Sequence, residues 1–154
     1  MIYDVLKKLS IDYDEICHPP VRTVAEAQHI KTQISGTGCK NLFLTDSKKK
    51  TFILVVLSEN KFANIKQIAQ ICQTSRLSFA DKETLEKVLG VKPGCVSILN
   101  LVNVGDFKLK ILIDRSLSGK RLLFHPNDNT KTISLDFADM VRFIRYFGND
   151  WQEF

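Results

Sequence analysis

Gly36-Thr37-Gly38-Cys39-Lys40-Asn41-Leu42-Phe43-Leu44-Thr45-Asp46, followed by Ser47 to Lys50 and then Thr51-Phe52-Ile53-Leu54-Val55-Val56-Leu57, is the stretch whose reading decides the fold. A double-glycine loop leads into a short apolar run. Asp46 to Lys50 is a polar turn, and the second apolar run is rich in β-branched residues. Two such runs a loop's width apart read as a β-hairpin. Phe52 to Leu57 shows no polar alternation, which predicts a strand buried on both faces at the centre of a sheet. Lys40 and Asn41 stand where the glycine loop hands over to the first strand. An ammonium is costly to bury without a partner, so the plain reading puts Lys40 at the wet end of that strand with its charge in solvent.

Working outward, the chain of 154 residues has a usual size for one domain with one core, and residues 1–154 are read as one domain. At 44% hydrophobic and 25% charged it has an ordinary globular composition. No apolar run approaches the ~20 residues of a membrane span, and Met1 to Ser10 has no secretory signature. These features favour the cytoplasm and argue against a membrane partner. The four cysteines (17, 39, 72, 95) match no zinc module and read as free thiols. The three histidines (18, 29, 125) are scattered, and no metal or other cofactor is expected. The excess of 22 basic over 17 acidic residues is mild and compatible with a polyanionic partner.

Ile2, Val5, Leu6 and Leu9 have helical spacing. Tyr13 to Cys17 reads as a strand that His18-Pro19-Pro20 stops. Thr23 and Glu26 fit a capping box for a helix to about Thr32. Asn64 and Asp81 are placed to cap two more helices, the second ended by Gly90. Pro93-Gly94 signals a turn. Cys95 to Val102, Lys108 to Ile113, Arg121 to His125 and Lys131 to Ser134 read as strands. Asp136 is placed to cap a last helix carrying Phe137, Met140, Val141, Ile144 and Phe147, with Gly148 closing it. Strands and helices mix without regular alternation. The expected fold is therefore α+β, with a mixed, partly barrel-like sheet surrounded by helices.

Lys40 beside Cys39 raises the option of an activated thiol, but nothing in the sequence brings His18, His29 or His125 alongside it. No Gly-x-Ser-x-Gly or phosphate-cradling lysine motif is present.

Four segments in register carry a resemblance. They are His18-Pro19-Pro20-Val21-Arg22-Thr23-Val24-Ala25-Glu26-Ala27, Lys40 to Asp46, Leu89-Gly90-Val91-Lys92-Pro93-Gly94 (after Leu77 to Ala80), and Phe124-His125-Pro126-Asn127-Asp128-Asn129-Thr130. Together they resemble the YbaK/ProX-type aminoacyl-tRNA deacylase family, which is similar to the editing domain inserted in bacterial prolyl-tRNA synthetases. The resemblance implies hydrolysis of a mischarged tRNA, alanyl-tRNA of proline type above all, without a cofactor. It implies that the acceptor end of the tRNA is the partner, with prolyl-tRNA synthetase as a further candidate partner and a monomer favoured. The family's essential lysine falls on Lys40, with Asn41 beside it, as the catalytic pair. Thr23, Gly94, His125 and Asn129 fall at substrate-binding positions. The family's Gly-x-x-x-Pro loop begins at Gly94 but has Ile98 at its fifth position, which implies a looser or differently shaped loop. Arg22 stands where relatives carry an aromatic and reads as a loop charge.

Lys40 and Asn41 point to opposite faces of a regular strand, so serving one pocket requires the Gly36–Cys39 loop to distort the strand start. The acceptor stem is expected on the basic surface at Lys48 to Lys50 or at Lys108 and Lys110. The rival readings are a non-catalytic RNA-binding or regulatory module on the same fold, and an enzyme acting on a free aminoacyl ester. A panel of mischarged tRNAs separates all three.

Overall fold

The computed structural model describes residues 1–21 and 23–154, so the reading of Arg22 falls outside the described residues. The central hairpin forms as its pattern demands. Strand β2 (Thr37–Asp46) and strand β3 (Phe52–Ser58) pair antiparallel from Cys39 opposite Ser58 to Thr45 opposite Phe52. Asp46 Oδ1 accepts from the N–H groups of Lys50 and Thr51 at 2.8 and 2.9 Å, which folds the tip. Those bonds, that of Thr51 foremost, hold the Asp46 carboxyl below the usual carboxylate range. Side chains of β3 alternate between two cores. Leu54 and Val56 enter the main one, and Ile53, Val55 and Leu57 enter a second. That is why the run shows no polar residue.

On one side of the hairpin β5 (Leu109–Ile113) lies parallel to β3, and β8 (Trp151–Glu153) lies parallel to β5. On the other side Thr37 and Gly38 of β2 pair in parallel with Leu122 and Leu123 of β6 (Arg121–Phe124). Strand β7 (Lys131–Asp136) joins β6 antiparallel, and β1 (Asp14–Cys17) joins β7 antiparallel. The short β4 (Leu77–Phe79) pairs with Leu44 to Asp46. The sheet is therefore mixed, with β2 shared between its two wings.

Helices cover it. Helix α1 (Ile2–Lys8) buries Ile2, Val5 and Leu6. Thr23 Oγ1 caps α2 (Val24–Lys31) and Asn64 Oδ1 caps α3 (Ile65–Ile71), each accepting at 3.1 Å from an N–H three residues on. Asp81 caps α4 (Lys82–Thr84), which continues as a π-helical turn over Leu85–Leu89 and ends at Gly90. Helix α5 (Phe137–Tyr146) lays Met140, Phe143 and Ile144 into the main core. No helix among the described residues is long and apolar enough to cross a membrane.

Three sequence expectations are corrected, and one strand forms that no sequence pattern predicts. Cys95 to Val102 is no strand, since Ile98–Asn103 is a 3-10 helix. Ser97 Oγ accepts from Leu99 N–H at 3.2 Å and Asn100 Oδ1 from Ser97 N–H at 2.6 Å. These local side-chain bonds outcompete the extended form that the β-branched residues favour. Asp136 makes no capping bond, because its Oδ1 accepts from Arg121 Nη1 at 3.3 Å. Strand β2 starts at Thr37, ahead of Lys40, because β6 gives Thr37 and Gly38 a ladder partner. Strand β8 exists only through its pairing with β5 and carries no long strand pattern of its own.

Candidate active site

The first edge of β2 meets β3 from Cys39 to Thr45. Its second edge meets β6 at Thr37 and Gly38 and β4 from Leu44 onward, with Phe43 C=O also accepting from Ala80 N–H at 2.9 Å. Between them, around Lys40 and Asn41, no strand among the described residues pairs with the second edge. A cleft of ≈ 350 Å³ opens at this gap. Lys40, Asn41, Gly94 and His125 all line it. Ile30, Val96, Leu123 and Phe124 supply its apolar part.

Lys40 and Asn41 do alternate, and the ladder with β3 is regular through both. No distortion of the strand start is needed, because a cleft at an open strand edge is reached from both faces. Lys40 lies on the face of Leu42 and Leu44, toward the second core. Its ammonium stands 5.3 Å from the ring centroid of Phe62. Asn41 turns to the opposite face, where Oδ1 accepts from the Ile98 N–H at 2.9 Å. No buried side-chain nitrogen or oxygen among the described residues lacks a partner, so the Asn41 Nδ2 group, bonded to none of them, reaches the open cleft as a donor.

The Gly94 loop arrives from a turn. Gly94 has φ +88°, a conformation that favours glycine, and a Cβ there would meet nothing within 4 Å. Bare backbone thus faces open space. The loop beyond it is fastened. Ile98 is fully buried, and its N–H is tied to Asn41. Asn100 is fully buried and donates through Nδ2 to Asn127 Oδ1, joining the loop to the turn that follows His125. Ile98 in place of proline therefore supplies a donor that proline lacks, and the loop is pinned rather than loose.

His125 Nδ1 lies 2.8 Å from the Lys131 carbonyl. A carbonyl only accepts, so Nδ1 carries the proton and the neutral ring keeps an acceptor at Nε2. The same logic applies to His18, whose Nδ1 donates to Pro19 O at 2.8 Å. Its Nε2 then accepts from the Thr132 hydroxyl, also at 2.8 Å. The two rings stand edge to face at 6.1 Å. His125 is thus both a strand-end hydrogen-bonding group and a cleft residue.

Thr23 and Asn129 are exposed and outside the lining; the Thr23 hydroxyl is engaged by the Glu26 N–H. The structure also adds residues that sequence reading missed. Lys31, at the end of α2, pairs with Glu59, just beyond β3, and both line the cleft. Glu59 lies across Gly38, where a Cβ would run into its carboxylate. The only sequence signal for this contact was the glycine itself.

Cys39 lines the cleft as a thiol. Burial pushes its pKa up to about 12, against a lowering contribution from the Leu123 backbone. Proximity in sequence to Lys40 does not activate it. Lys48 to Lys50 form the hairpin tip, and Lys110 sits opposite Ile53, whereas Lys40 sits opposite Leu57. Both basic groups therefore stand toward the end of the sheet away from Lys40, the hairpin tip roughly 20 Å and Lys110 roughly 13 Å along the strands at ~3.3 Å per residue. Lys49 pairs with Asp81 at 2.9 Å, and Lys110 donates to Cys72 O at 2.7 Å.

Residues 18–143 match the model of the aminoacyl-tRNA editing domain family. The chain is 31% identical over 148 residues to the prolyl-tRNA editing protein ProX of Acetoanaerobium sticklandii, covering 96% of this chain and 90% of that protein. It is 32% identical over 150 residues to the prolyl-tRNA synthetase associated domain-containing protein 1 of Bos taurus, covering 94% and 87%. Among solved structures, a candidate trans-editing enzyme for prolyl tRNA synthetase shares the fold at TM-score 0.69 and 15% identity, over 92% of this chain and 85% of that one. The family match spans most of the chain, takes in all four cleft residues just described and agrees with the fold: this protein belongs to the aminoacyl-tRNA editing domain family.

Proposed function

We propose that this protein is a trans-editing deacylase that hydrolyses alanyl-tRNA of proline type, with residues 1–154 acting as one editing domain. The observation that carries the reading is the convergence of Lys40, Asn41, Gly94 and His125, from three distant segments, on one small cleft. Water attacks the ester carbonyl, and negative charge develops on its oxygen. The Lys40 ammonium and the Asn41 Nδ2–H donate toward that oxyanion, in a site whose apolar lining strengthens both. The tetrahedral species then expels the ribose oxygen, leaving alanine and a tRNA with a free terminal hydroxyl. The neighbouring ribose hydroxyl of the substrate assists the water. An activated ester asks less of the enzyme than an amide does, so positioning and electrostatics suffice. His125 Nε2 accepts from the substrate's α-amino group. The Gly94 loop walls the acyl pocket, where alanine enters and proline is excluded by size. Such a second pocket is needed because a missing methylene is worth only ~1–3 kcal/mol to a synthetase.

The fixed Ile98–Asn41 and Asn100–Asn127 bonds support a pocket of defined shape. The partner is the acceptor end of a mischarged tRNA, with prolyl-tRNA synthetase as the source of that substrate, and the setting is cytoplasmic. The test is hydrolysis of alanyl-, cysteinyl-, seryl- and prolyl-tRNA side by side. Alanyl-tRNA is cleaved fastest and prolyl-tRNA is spared. Equal cleavage of prolyl-tRNA would sink the size-exclusion account, and no cleavage of any would leave a binding module.

A further inference from the structure

The most exposed large apolar side chain in the described structure is Phe62, at 96% exposure, and it stands beside the lysine at the cleft mouth. A single exposed apolar side chain is ordinary, but a ring held beside a cation at the rim of a site offers a π-face to a ligand there. We propose that Phe62 is a stacking platform for the 3′-terminal base of the tRNA, a subsite adjoining the acyl cleft. The inference rests on the deacylase reading for the identity of the nucleic acid.

The exposure is built in. Phe62 lies on the short connection between β3 and α3, and both ends of that connection are fastened. Asp114 is 2% exposed and accepts from Ser58 N–H at 2.9 Å and from Lys61 Nζ at 2.7 Å. Lys61 N–H donates to Ser58 O at 3.0 Å, and Asn64 caps the helix that follows. The backbone on either side of Phe62 is therefore held, and the ring is presented outward from a fixed base.

The neighbours fit a nucleotide. One side of the ring meets the Lys40 ammonium at 5.3 Å, and the high exposure leaves the rest of the ring to solvent. Aromatic faces next to cations are how proteins hold unpaired bases, because every base has a π-face and every nucleotide a phosphate. The order in space also matches the order in the substrate. The cleft interior takes the aminoacyl group, Lys40 lies at its mouth by the ester and phosphate, and Phe62 lies beyond Lys40 where the terminal base would fall.

The test uses Phe62→Ala, Phe62→Leu and Phe62→Trp in the full chain, with two readouts. The first is KM for alanyl-tRNA of proline type. Stacking contributes ~1–3 kcal/mol per base, so Phe62→Ala and Phe62→Leu raise KM by roughly fivefold to a hundredfold, and Phe62→Trp restores it. Leucine keeps an apolar surface without a π-face, which separates stacking from simple contact. The second readout is an uncharged tRNA ending in 2-aminopurine. Its fluorescence is quenched on binding the wild type and the tryptophan variant, and much less by the alanine variant at equal occupancy. Unchanged KM and unchanged quenching in Phe62→Ala would overturn the subsite while leaving the deacylase reading intact. Phe62-dependent quenching with no deacylation of any aminoacyl-tRNA would keep the subsite and remove the hydrolase.

Discussion

Replacing Ile98 by proline tests whether the Asn41 amide is aimed by the backbone opposite it. Ile98 is the first residue of the 3-10 helix, where proline is tolerated because its N–H has no partner within the helix. Ser97 before it is extended, at φ −153° and ψ 152°, which a following proline requires. The substitution is thus compatible with the backbone, but it deletes the N–H that Asn41 Oδ1 accepts at 2.9 Å. A typical hydrogen bond contributes ~0.5–1.5 kcal/mol net, and leaving an acceptor unpaired costs ~1–3 kcal/mol. Freed of that bond, the amide can rotate and present oxygen instead of Nδ2–H to the cleft. A loss of ~1.5–3 kcal/mol in transition-state stabilisation corresponds to a fall in kcat/KM of about tenfold to a hundredfold. Ile98 is fully buried, so some loss of packing is expected as well. Ile98→Val controls for this, since it trims the side chain, keeps the N–H and should hold kcat/KM within about twofold while costing ~0.5–1.5 kcal/mol of stability. The assay is alanyl-tRNA deacylation under kcat/KM conditions, repeated in an Asn41→Ala background. There Ile98→Pro should add little, because both changes remove one unit. Unchanged or improved kcat/KM in Ile98→Pro alone would refute the reasoning.

Lys40→Ala should lower kcat for deacylation by about a hundredfold or more, the usual cost of removing an oxyanion donor. Its melting temperature should stay near wild type, since Lys40 is only partly buried and has one aromatic contact; a mutant that fails to fold would make Lys40 structural. Cys39→Ala should retain activity, and the wild-type thiol should resist alkylation at neutral pH, because burial keeps it protonated up to about 12; rapid inactivation by a thiol reagent would count against this. Asp114 is the pH-sensitive structural group: burial alone would raise its pKa, but the Lys61 ammonium and the N–H groups of Ser58 and Ser116 outweigh burial and hold it at about 2. A depressed carboxylate contributes stability that is present above its unfolded value of ~3.9 and lost as pH falls toward about 2, here about 2 kcal/mol at neutral pH. Urea unfolding from pH 7 to pH 2 should show Asp114→Asn less stable by at least that amount at pH 7 and converging with wild type near pH 2; a gap that does not close would place its origin elsewhere.

Periodicity and local chemistry determined much of this protein from the sequence. The hairpin was legible, apart from the early start of β2 at Thr37, because an unbroken apolar run must have cores on both sides, and β3 does. The caps at Thr23, Asn64 and Asp81 were legible because a cap is a contact over three residues. Lys40, Asn41, Gly94 and His125 were singled out by motifs that lie within short segments. Tertiary structure decided what depends on distant pairing. The Val96 to Val102 run is apolar but for Ser97 and Asn100 and carries no clear period, so only the local bonds of those two side chains and burial select the 3-10 helix over a strand. The gap in the second edge of β2 depends on where β6 ends and β4 begins, which no local pattern encodes. That gap lets two side chains on opposite faces of one strand share a cleft. The Ile98–Asn41 bond, the Lys31–Glu59 pair and the Phe62–Lys40 contact each join segments far apart in the chain, and hydrogen bonds and charges across such distances leave no trace in sequence periodicity.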